Sequence, residues 1–175
     1  MRYGKLWLIL FLLFLLESTL MPWLIPAAWQ SHIQIIPHFV LVIVIYIGLY
    51  INRHTALAFG LVFGILHDFI HYSPMLGPVA FGMGLAGYVA GLMQGRIYSS
   101  ILISMLVIGA GNLFYDAVLF ALYRLFRVTH VDFQWMFFHQ MLPSMLINLL
   151  FALAIYVPAR RLFESLPVVS KEEAE

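Results

Sequence analysis

Cysteine is absent from the 175 residues, and charge is scarce: Lys, Arg, Asp and Glu together make up 10%. Without a thiol there is no disulfide scaffold, thiolate nucleophile, iron–sulfur cluster or cysteine-based zinc site. Soluble domains carry about a quarter charged residues, and a body of this size still exposes roughly a third of its unfolded surface. With 63% hydrophobic residues, 16% aromatic residues and a mean hydropathy of +0.97, that surface cannot be made compatible with water. The composition excludes a soluble globular protein and a disordered one, and leaves an integral membrane protein. A net charge of +1 argues against a nucleic-acid partner.

A membrane-crossing helix needs about 20 mostly apolar residues. Six such windows fit, at about 6–24, 35–51, 55–69, 79–93, 97–123 and 137–157. They predict one all-α domain over 1–175, a bundle of six transmembrane helices with short connections, and a cytoplasmic tail over 160–175. The alternation expected of a β-barrel is missing. Pro22 and Pro26 mark the end of the first span, Asn52-Arg53-His54 divides the second from the third, and Tyr72-Ser73-Pro74 with Gly77-Pro78 turns the chain into the fourth. Pro37 and Pro143 are expected in the first turns of their helices, where a missing N–H costs least. Gly109-Ala110-Gly111 falls midway along the fifth span and marks a candidate kink. Arg2, Lys5, Arg53, Arg96, Arg160, Arg161 and Lys171 fall on one side, against Arg124 and Arg127 on the other. That imbalance puts both termini in the cytoplasm, with the first span read as an uncleaved signal-anchor despite Ala27-Ala28 behind it.

Charged residues within spans are rare and face the bundle interior or a polar cavity. Here they are Glu17, Asp68 and Asp116, all in the outer half of the membrane. Asn112 lies one turn from Asp116, and Asn148 and Gln140 lie in the last span. Such a set can bind a cation, a proton or a ligand group, or it can fix the bundle by hydrogen bonds between helices. The absence of any intramembrane Lys or Arg opposite the acids favours the second. His67 and His71 share a helix face beside Asp68, but without a glutamate in the metalloprotease position they read as an interfacial pair. Ser99-Ser100 and Ser144 have no partner His and Asp at a recognisable spacing, and there is no phosphate-binding loop. No catalytic set, metal site or cofactor is expected.

Eight of the twelve glycines lie between Gly60 and Gly95. Gly60 and Gly64 are four apart, and Gly84, Gly87, Gly91 and Gly95 make one helical stripe. Small residues at this spacing let helix backbones approach closely in lipid. The stripe serves packing of the third span on the fourth, or it forms a groove for a partner's transmembrane helix.

These segments carry a resemblance. Pro37-His38-Phe39, Gly48, the run Phe59-Gly60-Leu61-Val62-Phe63-Gly64-Ile65-Leu66-His67-Asp68, then Leu76-Gly77-Pro78-Val79-Ala80-Phe81 and Gly87-Tyr88-Val89-Ala90-Gly91 resemble the rod shape-determining MreD family, as do Pro143 and Asn148 in the last span. His67 stands where that family has a hydrophobic residue, and Pro78 after Leu76-Gly77 is unusual for it. The resemblance implies a non-enzymatic scaffold of the bacterial elongation machinery in the cytoplasmic membrane. It would bind the single-span MreC and, through it, MreB, RodA and a penicillin-binding transpeptidase, in support of cell shape and peptidoglycan synthesis. Asp68 would accept hydrogen bonds from the turn that follows it, capping the outer end of the third helix. The family is also similar in fold to the substrate-binding subunits of energy-coupling-factor transporters. This leaves a rival reading, a vitamin-like ligand bound among Glu17, Asp68 and Asp116.

Overall fold

The computed structural model describes residues 4–24, 35–70, 74–94 and 101–164. Among them every regular element is helical: α1 (Gly4–Leu24), α2 (Phe39–Tyr50), α3 (Arg53–Ile70), α4 (Pro78–Gly91) and α5 (Ile101–Leu125). After these, α6 (Phe133–Met136), a π-helical turn (Phe137–Met141) and α7 (Leu142–Glu164) follow one another without a break. Among the described residues two helical runs are long and apolar enough to cross a membrane, Ile101–Leu125 with 25 residues and Phe133–Phe163 with 31. Pro26, Ala27-Ala28, His71, Gly95, Ser99-Ser100 and the tail from residue 165 lie outside the described residues.

α2 is apolar all round, and a helix of that kind belongs at the centre of a fold. Every residue from Phe39 to Leu49 is buried, and α1, α3, α4, α5 and α7 all pack on it. The outward faces are apolar as well: Leu8 and Leu12 on α1, Leu102 and Leu106 on α5, and Leu150 and Leu153 on α7 are all exposed. Glu17, His67, Asp68, Ser104, Asn112, Asp116, Ser144 and Asn148 are buried. An oily outside around a partly polar inside is the arrangement lipid selects, because polar groups there must find partners within the protein.

Boundaries differ from the hydropathy windows at both ends of the last run, which continues to Glu164 instead of 157, and at the start of the second helix. The second helix starts at Phe39, not near 35, because Pro37 disfavours the α region for Ile36 and His38 becomes the N-cap residue. Pro37 therefore stands before the helix instead of in its first turn. The last helical run starts at Phe133 instead of 137, so Pro143 sits inside it. A proline ring collides with the carbonyl four residues back and offers that carbonyl no N–H. The π-helical turn lies immediately ahead of Pro143, takes in His139, and accommodates the lost bond, as π-bulges do in long helices. α5 runs through Gly109-Ala110-Gly111 with no interruption of its helical hydrogen bonding. A Cβ on Gly109 would meet Leu149 of α7, and one on Gly111 would meet Ile45 of α2, so these residues serve close packing.

Candidate functional site

The early amides of a helix have no acceptors within it, and at the buried start of α2 water cannot replace them. Two other helices do so. Ile36 N donates to Ser144 Oγ at 2.9 Å, and His38 N donates to Asn148 Oδ1 at 2.9 Å, both acceptors on α7. Val40 N donates to Glu17 Oε2 of α1 at 3.3 Å. Asn148 Nδ2 then donates to Asn112 Oδ1 at 2.7 Å, and Asn112 Nδ2 to Ile108 O of its own helix at 2.8 Å. Asn148 thus joins α2 to α5 through one side chain, at 0% exposure. Tyr46 Oη adds a second tie from α2 to α7 by donating to Ala152 O at 3.0 Å.

His38 completes this knot. Its Nδ1 lies 3.8 Å from Glu17 Oε1 and its Nε2 lies 3.8 Å from Asp116 Oδ1, ion-pair distances when the ring is protonated. The ring also meets Tyr115 edge-on, with centroids 4.9 Å apart. Of the three acids singled out from the sequence, Glu17 and Asp116 are brought together, and the group between them is a histidine, not a Lys or Arg. In the sequence His38 attracted notice only as part of a motif. The available signal was a titratable residue between a proline and an unbroken apolar run, but its pairing depends on how α1 and α5 pack. Ser144, weighed only as a nucleophile, proves to be a backbone acceptor. Gln140 sits in the π-helical turn.

Asp68 is engaged elsewhere. Its Oδ2 accepts from Gly77 N at 2.9 Å and from Ala80 N at 3.3 Å. As expected it takes hydrogen bonds from the following turn, but the end it caps is the N-terminus of α4, not the C-terminus of its own helix. Gly77 is the N-cap residue with φ of 111°, a backbone state that side chains with a Cβ rarely adopt. Pro78 occupies the first helical position, where its lack of an N–H costs nothing. A carboxylate at a helix N-terminus also meets the positive end of the helix dipole. His67, buried beside Asp68, meets Phe14 of α1 edge-on at 4.7 Å between centroids. Among the described residues no group of three metal-ligating side chains converges.

Among the described residues, the helical glycines Gly60, Gly64, Gly84, Gly87 and Gly91 face the chain's own helices. A Cβ on Gly60 would lie 2.7 Å from Gly84 N, one on Gly64 would strike the Ala80 backbone, and one on Gly91 would lie 2.5 Å from Arg53 Cα. A Cβ on Gly84 would meet Leu57 and Leu61 of α3, and one on Gly87 would lie 2.6 Å from Val44 Cγ1 of α2. Its described members, Gly84, Gly87 and Gly91, therefore lie where α4 meets α3 and α2. Apolar grooves are open on the outside of the described residues. One, of about 300 Å³, lies between α1 and α7 along Leu13, Phe151 and Pro158. Another, of about 350 Å³, lies between α4 and α5 and includes the small residues Ala86, Ala90, Ala110 and Gly111.

What these features define is an all-helical, membrane-type bundle in which Glu17, Asp68, Asn112, Ser144 and Asn148 are bonded to its own backbone or to one another. Compared with known families, the chain matches the rod shape-determining protein MreD over residues 1–166. It belongs to that family, and rod shape determination is the process in which it takes part. No curated protein and no solved structure matches it. The family consists of shape-determining scaffold proteins not known as enzymes, and together with the apolar helices it indicates membrane association.

Proposed function

We propose that the chain is a six-span scaffold of the rod complex in the cytoplasmic membrane, with both termini inside, and that it holds the transmembrane helix of MreC. Through MreC it supports MreB, RodA and a penicillin-binding transpeptidase in peptidoglycan synthesis. The family match over residues 1–166 carries the reading. The short helices are consistent with it. α2 and α4 have 12 and 14 residues, about 18 and 21 Å of helix, so the non-helical backbone before each would lie at membrane depth. Such backbone is tolerated only where protein surrounds and satisfies it, which is what Ser144, Asn148, Glu17 and Asp68 do.

Because Gly84, Gly87 and Gly91 face the chain's own helices, the partner helix needs another surface. The groove between α4 and α5 fits best, since its rim is apolar, with Val89, Met93, Leu106 and Phe114 exposed around the small, exposed Ala110, where a partner helix can approach closely in lipid. The test is co-purification of MreC with an Ala110→Leu variant, changed at an exposed position of the groove. The docking assignment predicts a well-folded protein that has lost MreC, and wild-type retention of MreC refutes it. The rival reading as a vitamin-binding subunit has less support. Glu17 Oε2 and Asp68 Oδ2 accept from backbone amides, Glu17 Oε1 and Asp116 Oδ1 face His38, and neither groove is lined by these acids.

A further inference from the structure

The turn joining α5 to α6 carries a cationic and aromatic tip that neither the polar knot nor the grooves use. α5 ends in a Schellman arrangement: Val128 N donates to Tyr123 O at 2.8 Å and Arg127 N to Arg124 O at 3.1 Å. The left-handed position in such an ending normally holds glycine. Here Arg127 occupies it with φ of 57°, a strain of about 1–2 kcal/mol for a residue with a Cβ. Arg124 lies one turn earlier, its guanidinium donating to Val131 O at 3.3 Å and resting 5.8 Å from the Phe120 ring centre. Around them Leu125, Phe126, Val128, Phe133, Trp135 and Phe138 are 40–74% exposed. Asp132 is the one carboxylate in the turn, and it accepts from Gln134 N at 3.2 Å.

Helix length gives the height of this tip. Resting on the six-span reading, Arg160 and Arg161 mark the inner edge of the hydrocarbon. Roughly 40 Å of helix separates Ala159 from Phe133, against a hydrocarbon core of about 30 Å. The tip therefore stands about 10 Å beyond the outer hydrocarbon edge, or slightly less with a typical tilt. Arg124, about 35 Å along α5 from Ile101, reaches the same layer. Guanidiniums at headgroup height bind phosphate as a fork, and exposed aromatics at that height sit in the interface.

We propose that the α5–α6 turn is a binding surface for anionic phospholipid headgroups of the outer leaflet. Arg124 and Arg127 hold the phosphodiester, and Phe126, Phe133, Trp135 and Phe138 seat the turn in the headgroup interface.

The chain has no cysteine, so Thr129→Cys supplies a unique site for a spin label within the turn. The labelled full-length protein is placed in nanodiscs of phosphatidylcholine with rising phosphatidylglycerol. Phosphatidylglycerol is expected to immobilise the label, with half-saturation weakened about fivefold for each arginine removed by Arg124→Gln and Arg127→Gln. An unchanged titration in the double variant overturns the proposal. Equal immobilisation by inorganic phosphate, in detergent without phosphatidylglycerol, overturns the lipid assignment in favour of free phosphate. A label at His130→Cys must report the same response, which guards against a local effect of the first site. Integration of the unlabelled protein into the nanodisc and its retention of MreC are scored in parallel. Loss of these in the wild type refutes the scaffold reading, and their survival with no lipid response refutes this inference alone.

Discussion

Replacing Asp68 by Ala tests the central structural argument, that buried acids here serve as caps on the next helix. The substitution removes one acceptor from two amides, Gly77 N and Ala80 N, at 2.9 and 3.3 Å. Losing a side-chain N-cap costs about 1 kcal/mol, and up to about 2. A hydrogen bond to a charged group is worth about 1.5–3 kcal/mol, and a buried amide left without an acceptor costs about 1–3 kcal/mol. Asp68 is 2% exposed, so water cannot readily stand in for the lost oxygen. Together these give an expected destabilisation of about 3 kcal/mol. Asp68→Asn keeps an oxygen where Oδ2 lies but loses the charge, which roughly halves the strength of such bonds. It also places an amide group where Oδ1 has no hydrogen-bond partner among the described residues. Its cost is expected between those of wild type and Asp68→Ala. Reversible unfolding in mixed micelles, followed by far-UV circular dichroism, measures both. A loss below about 0.5 kcal/mol for Asp68→Ala, the level of an ordinary surface change, refutes the capping argument.

Three further outcomes follow from the same contacts. Gly64→Leu drives a side chain into the Ala80 backbone and is expected to prevent α3 and α4 from closing, read as loss of a monodisperse peak in size-exclusion chromatography. A normal peak would show that the two helices can part without cost. Asn148→Ala strands His38 N and Asn112 Oδ1 and is expected to lower stability by about 2–4 kcal/mol, whereas a fall within about 0.5 kcal/mol would show that the knot is not structural. Arg127→Gly relieves the left-handed backbone and is expected to raise the thermal midpoint in zwitterionic detergent, by about 0.5–1 kcal/mol of stability; a lower midpoint refutes the strain argument.

The helices were legible because the apolar windows were bounded by punctuation with a physical basis. The third and fourth windows, 55–69 and 79–93, coincide closely with Arg53–Ile70 and Pro78–Gly91. Asn52 Oδ1 accepts from Thr55 N at 2.6 Å at the start of one, and Pro78 begins the other. The π-helical turn was not legible, because hydropathy does not record where a proline in mid-helix will force an extra residue into a turn. The glycine spacing announced close helix contact but not with which neighbour, since a stripe of small residues looks the same whether it meets α3 or a partner. The acids were found by their rarity, yet the roles of Glu17 and Asp116 depended on His38, which lies 21 residues from one and 78 from the other. Only packing brings that ring between them.

Glu17 and Asp68 share a consequence for how the protein is made. Each acid sits late in one helix and satisfies the first amides of the helix that follows, Glu17 for α2 and Asp68 for α4. Under the six-span topology neither member of such a pair can settle alone in lipid, the first because of its carboxylate, the second because of its bare amides. Under that topology the unit expected to leave the translocon is the helical hairpin, α1 together with α2 and α3 together with α4. A ribosome stalled after α3 but before Ala80 would hold a segment that still has to wait at the lateral gate.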